Sequence, residues 1–413
     1  MALDLRSPMT GTADAPLREG ASAASIRSRT PWWAAAVLLY AGSRVVSTGL
    51  IALTMAVARP GSRVGRHAQL LDVLTAWDGQ WYRLIAQSGY PTVLPTNDAG
   101  VAQNAWAFLP LYPWLARALA LGIPAVWPIA AVALSTVAGA VAAVLLGALV
   151  RPHVGDRGAL ITVALFVLSP VAFLLEAAYA ESLSLALLFG ILVLVDRRHH
   201  LTAVPLVLAL AFTRPGMQAV ALAIAATHAA RVVRARRDRR PVPAREWAGA
   251  VTLAAVAAAA GELWPLIAAV VTGAPDAYLA TEVSWRSSWT GSTSFEPVVS
   301  WFAGADFWFG STAGPIVLSV LAAAWTALLL SRPARRAGRT VRVWSLAWTV
   351  YLLAVFFPQS STFRLLMPMA PIGAVLARAR TKVVIAVLLL SVALQGIWIF
   401  CIYGYWTHFW TVP

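Results

Sequence analysis

From Trp32 to Val57 the only charged side chain is Arg44, and comparable apolar runs recur along the chain. A helix needs about 20 mainly apolar residues to cross a bilayer, where its backbone must satisfy its own hydrogen bonds. On that criterion spans are expected at roughly 32–57, 126–150, 158–176, 181–196, 201–213, 216–230, 247–272, 313–331, 342–357, 364–378 and 382–402, with a further apolar stretch at 106–121. Several are shorter than a full crossing. The pair 201–213 and 216–230 reads as two short helices meeting at Thr213-Arg214-Pro215-Gly216, with one broken helix as the competing reading. Charged residues are 12% of the chain, about half the share of a soluble domain, so the expected class is an all-α polytopic membrane protein.

The net charge of +15 does not point to a nucleic-acid partner, because the basic residues gather in short connections between apolar runs. Arg231 to Arg240, Arg332 to Arg339 and Arg378 to Lys382 form three such connections, and Arg151–Arg157 and Arg197–His200 form smaller ones. Short basic loops stay in the cytoplasm. The expectation is a multi-pass cell-membrane protein of about eleven crossings, with the N-terminus inside and the C-terminus outside. Arg59, Arg63 and Arg66 run against the rule.

Residues 1–30 are polar and rich in Ser, Ala and Arg, and are expected to form a disordered cytoplasmic tail ahead of one membrane domain, 31–413. Ala56-Val57-Ala58 resembles a signal-peptidase site. The apolar run before it is longer than a signal-peptide core of about 7–15 residues, so an uncleaved anchor is expected.

Two long segments, about 58–125 and 273–312, then lie outside, and chemistry is expected there. The second carries Trp285, Trp289, Phe295, Trp301, Phe302 and Trp308, and the C-terminal end Tyr403, Tyr405, Trp406, Phe409 and Trp410. Aromatics at this level usually form an interfacial belt, with sugar stacking as the alternative. No internal repeat is visible. Cys401 is the single cysteine, which leaves neither an intramolecular disulfide nor a thiolate metal cluster.

In the first external segment, Trp77-Asp78-Gly79-Gln80-Trp81-Tyr82 sets a carboxylate among aromatics. Asp78 reads either as a catalytic base or as a helix N-cap, for which Asp is among the best residues. Glu176 and Glu181 flank one outer turn, Arg214 occupies another and Arg364 a third, all at the membrane level of Asp78. Carboxylates and arginines together suit the transfer of a sugar from a lipid phosphate. Phosphate is a good leaving group, held by Arg rather than protonated, so one carboxylate suffices to deprotonate the acceptor hydroxyl. A hydrolytic glycosidase generally needs two. Arg214 and Arg364 are the candidates for the phosphate. Arg44, mid-span, is either a structural ion pair or a ligand contact. The six histidines are scattered and no metal-ligating pattern appears, so neither a metal nor another cofactor is expected; Asp98 reads as a solvated loop residue, with help in binding a cation as the alternative.

These stretches resemble the PIG-V type mannosyltransferases, a family within the GT-C superfamily of polytopic glycosyltransferases. The resemblance rests on Trp77–Tyr82 with Ile85-Ala86 and Gly89-Tyr90-Pro91, and on Ala107-Phe108-Leu109-Pro110-Leu111-Tyr112-Pro113. It extends to Ser169-Pro170, Glu176, Ala178–Leu183, Thr213–Gly216 and Phe363–Pro368. It implies an inverting, metal-independent membrane transferase with Asp78 as base. The donor would be a polyprenyl-phosphate sugar, typically mannose, and the acceptor a lipid or cell-envelope glycan. Trp77, Gln80, Trp81, Tyr82, Tyr112 and Glu181 are then expected to contact substrate. Two other readings stay open: a lipid or solute transporter, with Arg44 its one supporting feature, and a non-catalytic subunit in envelope assembly.

Overall fold

The computed structural model describes residues 30–62, 68–98, 100–290, 296–358 and 361–405, without the side chains of 286–290. The expected tail, Thr30 apart, lies outside these residues, as do Arg63, Arg66, Phe295, Trp406, Phe409 and Trp410 and the side chain of Trp289. Trp32–Pro413 forms a single unit. Most of the described residues are helical, and a two-residue antiparallel ladder, with Thr96 opposite Val101, is the sheet among them.

Among the described residues five helices are long and apolar enough to cross a membrane: Trp32–Val57, Trp127–Val167, Ala244–Thr272, Val299–Leu330 and the run Thr381–Gly404. The second doubles back. Its backbone leaves helical geometry at Gly155 (φ 72°, ψ 178°), and a Cβ on Gly147 would lie 3.4 Å from Val163. Sixteen residues of straight helix would hold these about 24 Å apart. The turn falls in Arg151–Arg157, the connection expected between runs 126–150 and 158–176. Val299–Leu330 bends likewise at Gly310 (φ 80°, ψ 157°), bringing Gly314 against Ala305.

Three expectations need correction. The run 106–121 is a 3-10 turn, Ala105–Ala107, and a short helix, Leu111–Leu119. The run 364–378 is a four-residue helix, Thr362–Leu365, and a 3-10 segment, Met367–Leu376, because Pro368 and Pro371 remove the amide donors an α-helix needs. The stretch 158–176 stops being α-helical at Val167. The helices Val204–Ala211 and Met217–Arg237 are antiparallel neighbours rather than one broken helix, since the His200 and His228 rings come within 6.4 Å.

The helices pack through small residues, which let backbones approach where lipid supplies no hydrophobic drive between them. Ala131, Ser135, Ala138, Gly139, Ala142 and Leu146 form a buried stripe on Trp127–Val167. Tyr40 crosses it so closely that a Cβ on Gly139 would meet the Tyr40 hydroxyl, which donates to the Leu175 carbonyl at 3.0 Å. Arg44 lies beside it and donates to the carbonyls of Ala172 (2.8 Å), in the 3-10 turn Ala172–Leu175, and of Val167 (3.2 Å), in the last turn of the α-helix, where carbonyls lack intrahelical amide partners. That accounts for a charge mid-span.

The polar connections gather at two ends. At one, Arg157 donates to Ala377 and Ala379, Thr340 and His153 meet the Asp196 carboxylate, and Arg231 and Arg198 pair with Glu246. The five basic connections singled out in the sequence therefore meet one another. At the other end lie Asp78, Glu181, Arg214 and Arg364. The helix Glu181–Asp196 runs from one end to the other, and Met217–Arg237 passes from the Arg214 turn to Arg231.

Candidate functional site

Asp78 is positioned by an unusual turn. Trp77 adopts φ 58°, ψ −118°, a region bulky residues avoid, and the helix Asp78–Ser88 starts immediately after it. The amide of Ala178 donates to Leu74 at 2.7 Å, tying this loop to the Ala177–Ala180 turn. The Asp78 side chain caps nothing. Its Oδ2 instead accepts from Arg364 Nη1 at 2.6 Å, and Arg214 Nη1 lies 4.0 Å from the same oxygen.

Glu181 opens its own helix in the same way. Its Oε1 is 3.2 Å from Arg214 Nη1 and 3.7 Å from Arg364 Nε. Both carboxylates therefore occupy the first turn of a helix, where the macrodipole favours negative charge. Asp78 is 5% exposed and Glu181 4%, so neither charge is tolerable without its arginine partners.

The segments that carry the two arginines both rest on tryptophans of the helix Arg339–Val355. Trp348 Nε1 donates to Leu365 at 2.8 Å and Trp344 Nε1 to Pro368 at 2.7 Å, anchoring the segment that bears Arg364. The Arg214 turn ends at Gly216 (φ 122°), where a Cβ would stand 2.6 Å from the Trp348 ring. Only glycine fits there.

The four charges line a cavity of about 580 Å³. Trp81 stacks on Phe108 with ring centres 5.6 Å apart, and Trp285 meets both edge-on at 5.4 and 5.6 Å. A second groove of about 460 Å³ adjoins the first. The two share Arg214, Gly216, Glu282 and Tyr351, and the groove is otherwise lined largely by apolar side chains such as Leu222, Trp264 and Val350.

Asp78, Arg214, Arg364, Glu181, Trp77, Gln80, Trp81 and Tyr82 all line the cavity. Tyr112 does not. It is fully buried, and its hydroxyl reaches the Ala131 carbonyl at 2.9 Å and Ser135 Oγ at 2.8 Å. Neither Arg44 nor Glu176 faces the cavity; Glu176 accepts from Thr48 at 3.2 Å. Asp98 is exposed in the ladder turn. Among the described residues no three His, Cys, Asp or Glu side chains are grouped to hold a metal.

The aromatic belt divides. Phe302 and Trp308 are exposed, whereas Trp285 belongs to the cavity and Tyr403 is buried against Phe173. Sequence reasoning passed over Glu282, Trp348 and Tyr351, which also line the cavity. The available signal for Glu282 was its placement three residues before Trp285, on the same helical face.

Fold and composition make this chain an all-α membrane protein with a charged cavity at one end of its helices. No protein-family model matches the chain, and a search of curated proteins finds no match.

Proposed function

We propose that the protein is an inverting glycosyltransferase. It moves a sugar, most simply mannose, from a polyprenyl-phosphate donor to a lipid or cell-envelope glycan on the extracytoplasmic face. In this reading the chain crosses the membrane eleven times, with the basic end in the cytoplasm and the cavity outside. The observation that carries it is the buried quartet of Asp78, Glu181, Arg214 and Arg364 beside a largely apolar groove. The arginines suit a phosphate, and the groove suits the isoprenoid chain attached to it.

The chemistry balances without a further reactant. The acceptor oxygen attacks the anomeric carbon as the carbon–oxygen bond to phosphate breaks on the opposite face, inverting that carbon. The bonding pair leaves with the phosphate, and the acceptor proton passes to Asp78. One unit of negative charge thus disappears from Asp78 and reappears on the leaving polyprenyl phosphate. Arg364, bonded to Asp78 at 2.6 Å, can follow that charge, so the cavity's net charge stays constant through the step. Glu181 holds Arg214 in place for the same purpose.

The test is sugar transfer in lipid nanodiscs, with polyprenyl-phosphate mannose as donor and native membrane extract as acceptor. Asp78→Asn should lower the rate about 10³-fold, the range of a lost general base, while the protein stays inserted and folded. Retained transfer in the variant would remove Asp78 from the mechanism. If the wild type transfers nothing from a donor and acceptor pool shown to be competent, transport or a non-catalytic assembly role becomes the better reading.

A further inference from the structure

We propose that Glu282 and Trp285, together with Trp81, form a subsite for a pyranose ring, separate from the arginines that take the phosphate. The inference rests on the glycosyl-transfer reading and names the part of the substrate this wall of the cavity recognises.

Glu282 and Trp285 lie one turn apart on the helix Ala277–Thr290, and both line the cavity. Trp285 stands edge-on to Trp81 at 5.4 Å. A sugar offers an aromatic ring one C–H-rich face and offers the surroundings a rim of hydroxyl donors. It is therefore held by an indole with an acceptor beside it. A carboxylate is that acceptor. It has about four lone-pair sites and no donor, so the hydrogen bond Glu282 already shares with Tyr278 orients the group without exhausting it.

The sign of the charge separates this wall from the arginine pair. A carboxylate repels a phosphate and accepts from a neutral hydroxyl, whereas Arg214 and Arg364 favour the anion. A substrate carrying both groups is thereby oriented, with its phosphate toward the arginines and its ring toward Glu282. Glu282 also borders the apolar groove, so the polar subsite lies where the two spaces meet.

The pyranose belongs either to the donor or to the acceptor, and the experiment separates the two. The full-length protein in nanodiscs is titrated with polyprenyl-phosphate mannose and with polyprenyl phosphate lacking sugar, and transfer is measured against acceptor concentration. Wild type is compared with Glu282→Gln, Trp285→Ala and Trp285→Phe, each first matched in thermal unfolding. If the ring is the donor's, Glu282→Gln and Trp285→Ala weaken the sugar-bearing lipid about tenfold and leave the bare lipid phosphate unchanged. If it is the acceptor's, both donor affinities hold and the acceptor KM rises about tenfold. Trp285→Phe keeps a stacking face and should lose less than Trp285→Ala in either case.

Variants indistinguishable from wild type in lipid binding and in acceptor KM would overturn the subsite while leaving the transferase reading intact. Sugar-dependent lipid binding that requires Glu282, without any transfer by the wild type, would keep the subsite and remove the reaction. Wild-type binding with no preference for the sugar-bearing lipid, together with no transfer, would overturn both.

Discussion

Arginine does different work at the two ends of this molecule. At the cavity end Arg214 and Arg364 are largely buried and face two carboxylates, drawn together from four separate stretches of chain. At the basic end Arg332, Arg335, Arg336 and most of Arg231–Arg240 are exposed. Several arginines there donate to carbonyls at segment ends, as Arg157 does to Ala377, Arg335 to Leu330 and Arg342 to Leu329. Two buried arginines set side by side need opposite charges between them, and Arg214 and Arg364 have theirs in carboxylates brought from distant stretches of chain, whereas the lone Arg44 is held by carbonyls. A solvated arginine needs only a carbonyl and water, and several can lie side by side. Net positive charge therefore describes one end of the protein and paired, buried charge the other.

The comparison breaks most sharply if the cavity charges prove uncoupled. Removing one partner of a buried ion pair typically destabilises by about 3–5 kcal/mol, since the other charge is left in a poor solvent. Arg364→Gln should therefore lower stability by about 3 kcal/mol, read by thermal unfolding in detergent. Adding Asp78→Asn to it should restore a substantial part, because the stranded carboxylate is then gone. Additive losses would mean that the contact between Arg364 and Asp78 carries no coupling. The same Arg364→Gln protein should need more polyprenyl-phosphate donor to saturate transfer, and unchanged donor saturation would reject Arg364 as the phosphate ligand.

The cavity quartet was legible in the sequence because Asp78, Glu181, Arg214 and Arg364 are ionisable residues set among apolar ones, where each must find a partner. Glu282 was not, since it lies in a polar external segment where an acid excites no suspicion. Tyr112 was misread for a related reason. Lying close to a motif in sequence does not fix which face of a short helix a side chain takes, and Tyr112 turned inward with Pro113 and Ala116. The role of Arg44 was invisible because its partners are backbone carbonyls, which every residue has. The hairpin at Gly155 was readable as a connection from its charges, whereas the 3-10 path of Met367–Leu376 was hidden in a run whose length suggested an ordinary helix.

At the basic end the backbone is expected to matter more than any one charge. Gly155 adopts φ 72°, ψ 178°, a conformation nearly confined to glycine, and strain of this kind is of order 1–3 kcal/mol per residue. Gly155→Ala should lower the unfolding free energy by an amount in that range, seen as a fall in unfolding temperature. Transfer per folded molecule should be unchanged, because the turn is at the far end from Asp78. A loss of transfer without a loss of stability would mean that the two ends communicate.

The smallest effect is expected from Arg335, and it tells most about orientation. Its guanidinium is exposed and donates to the Leu330 carbonyl at 3.0 and 2.8 Å, an interaction worth a few tenths of a kcal/mol at a hydrated helix end. In a Cys401→Ser background, Arg335→Cys should unfold within about 0.5 kcal/mol of its parent and transfer at the same rate. The same thiol then reports its compartment. A membrane-impermeant maleimide should label it only after the cells are permeabilised, whereas Asp98→Cys, exposed in the ladder turn, should be labelled in intact cells. The reverse pattern would place the basic end outside and the quartet against the cytoplasm. A donor presented on the outer leaflet would then be out of reach, and the proposed reaction would need a cytoplasmic substrate.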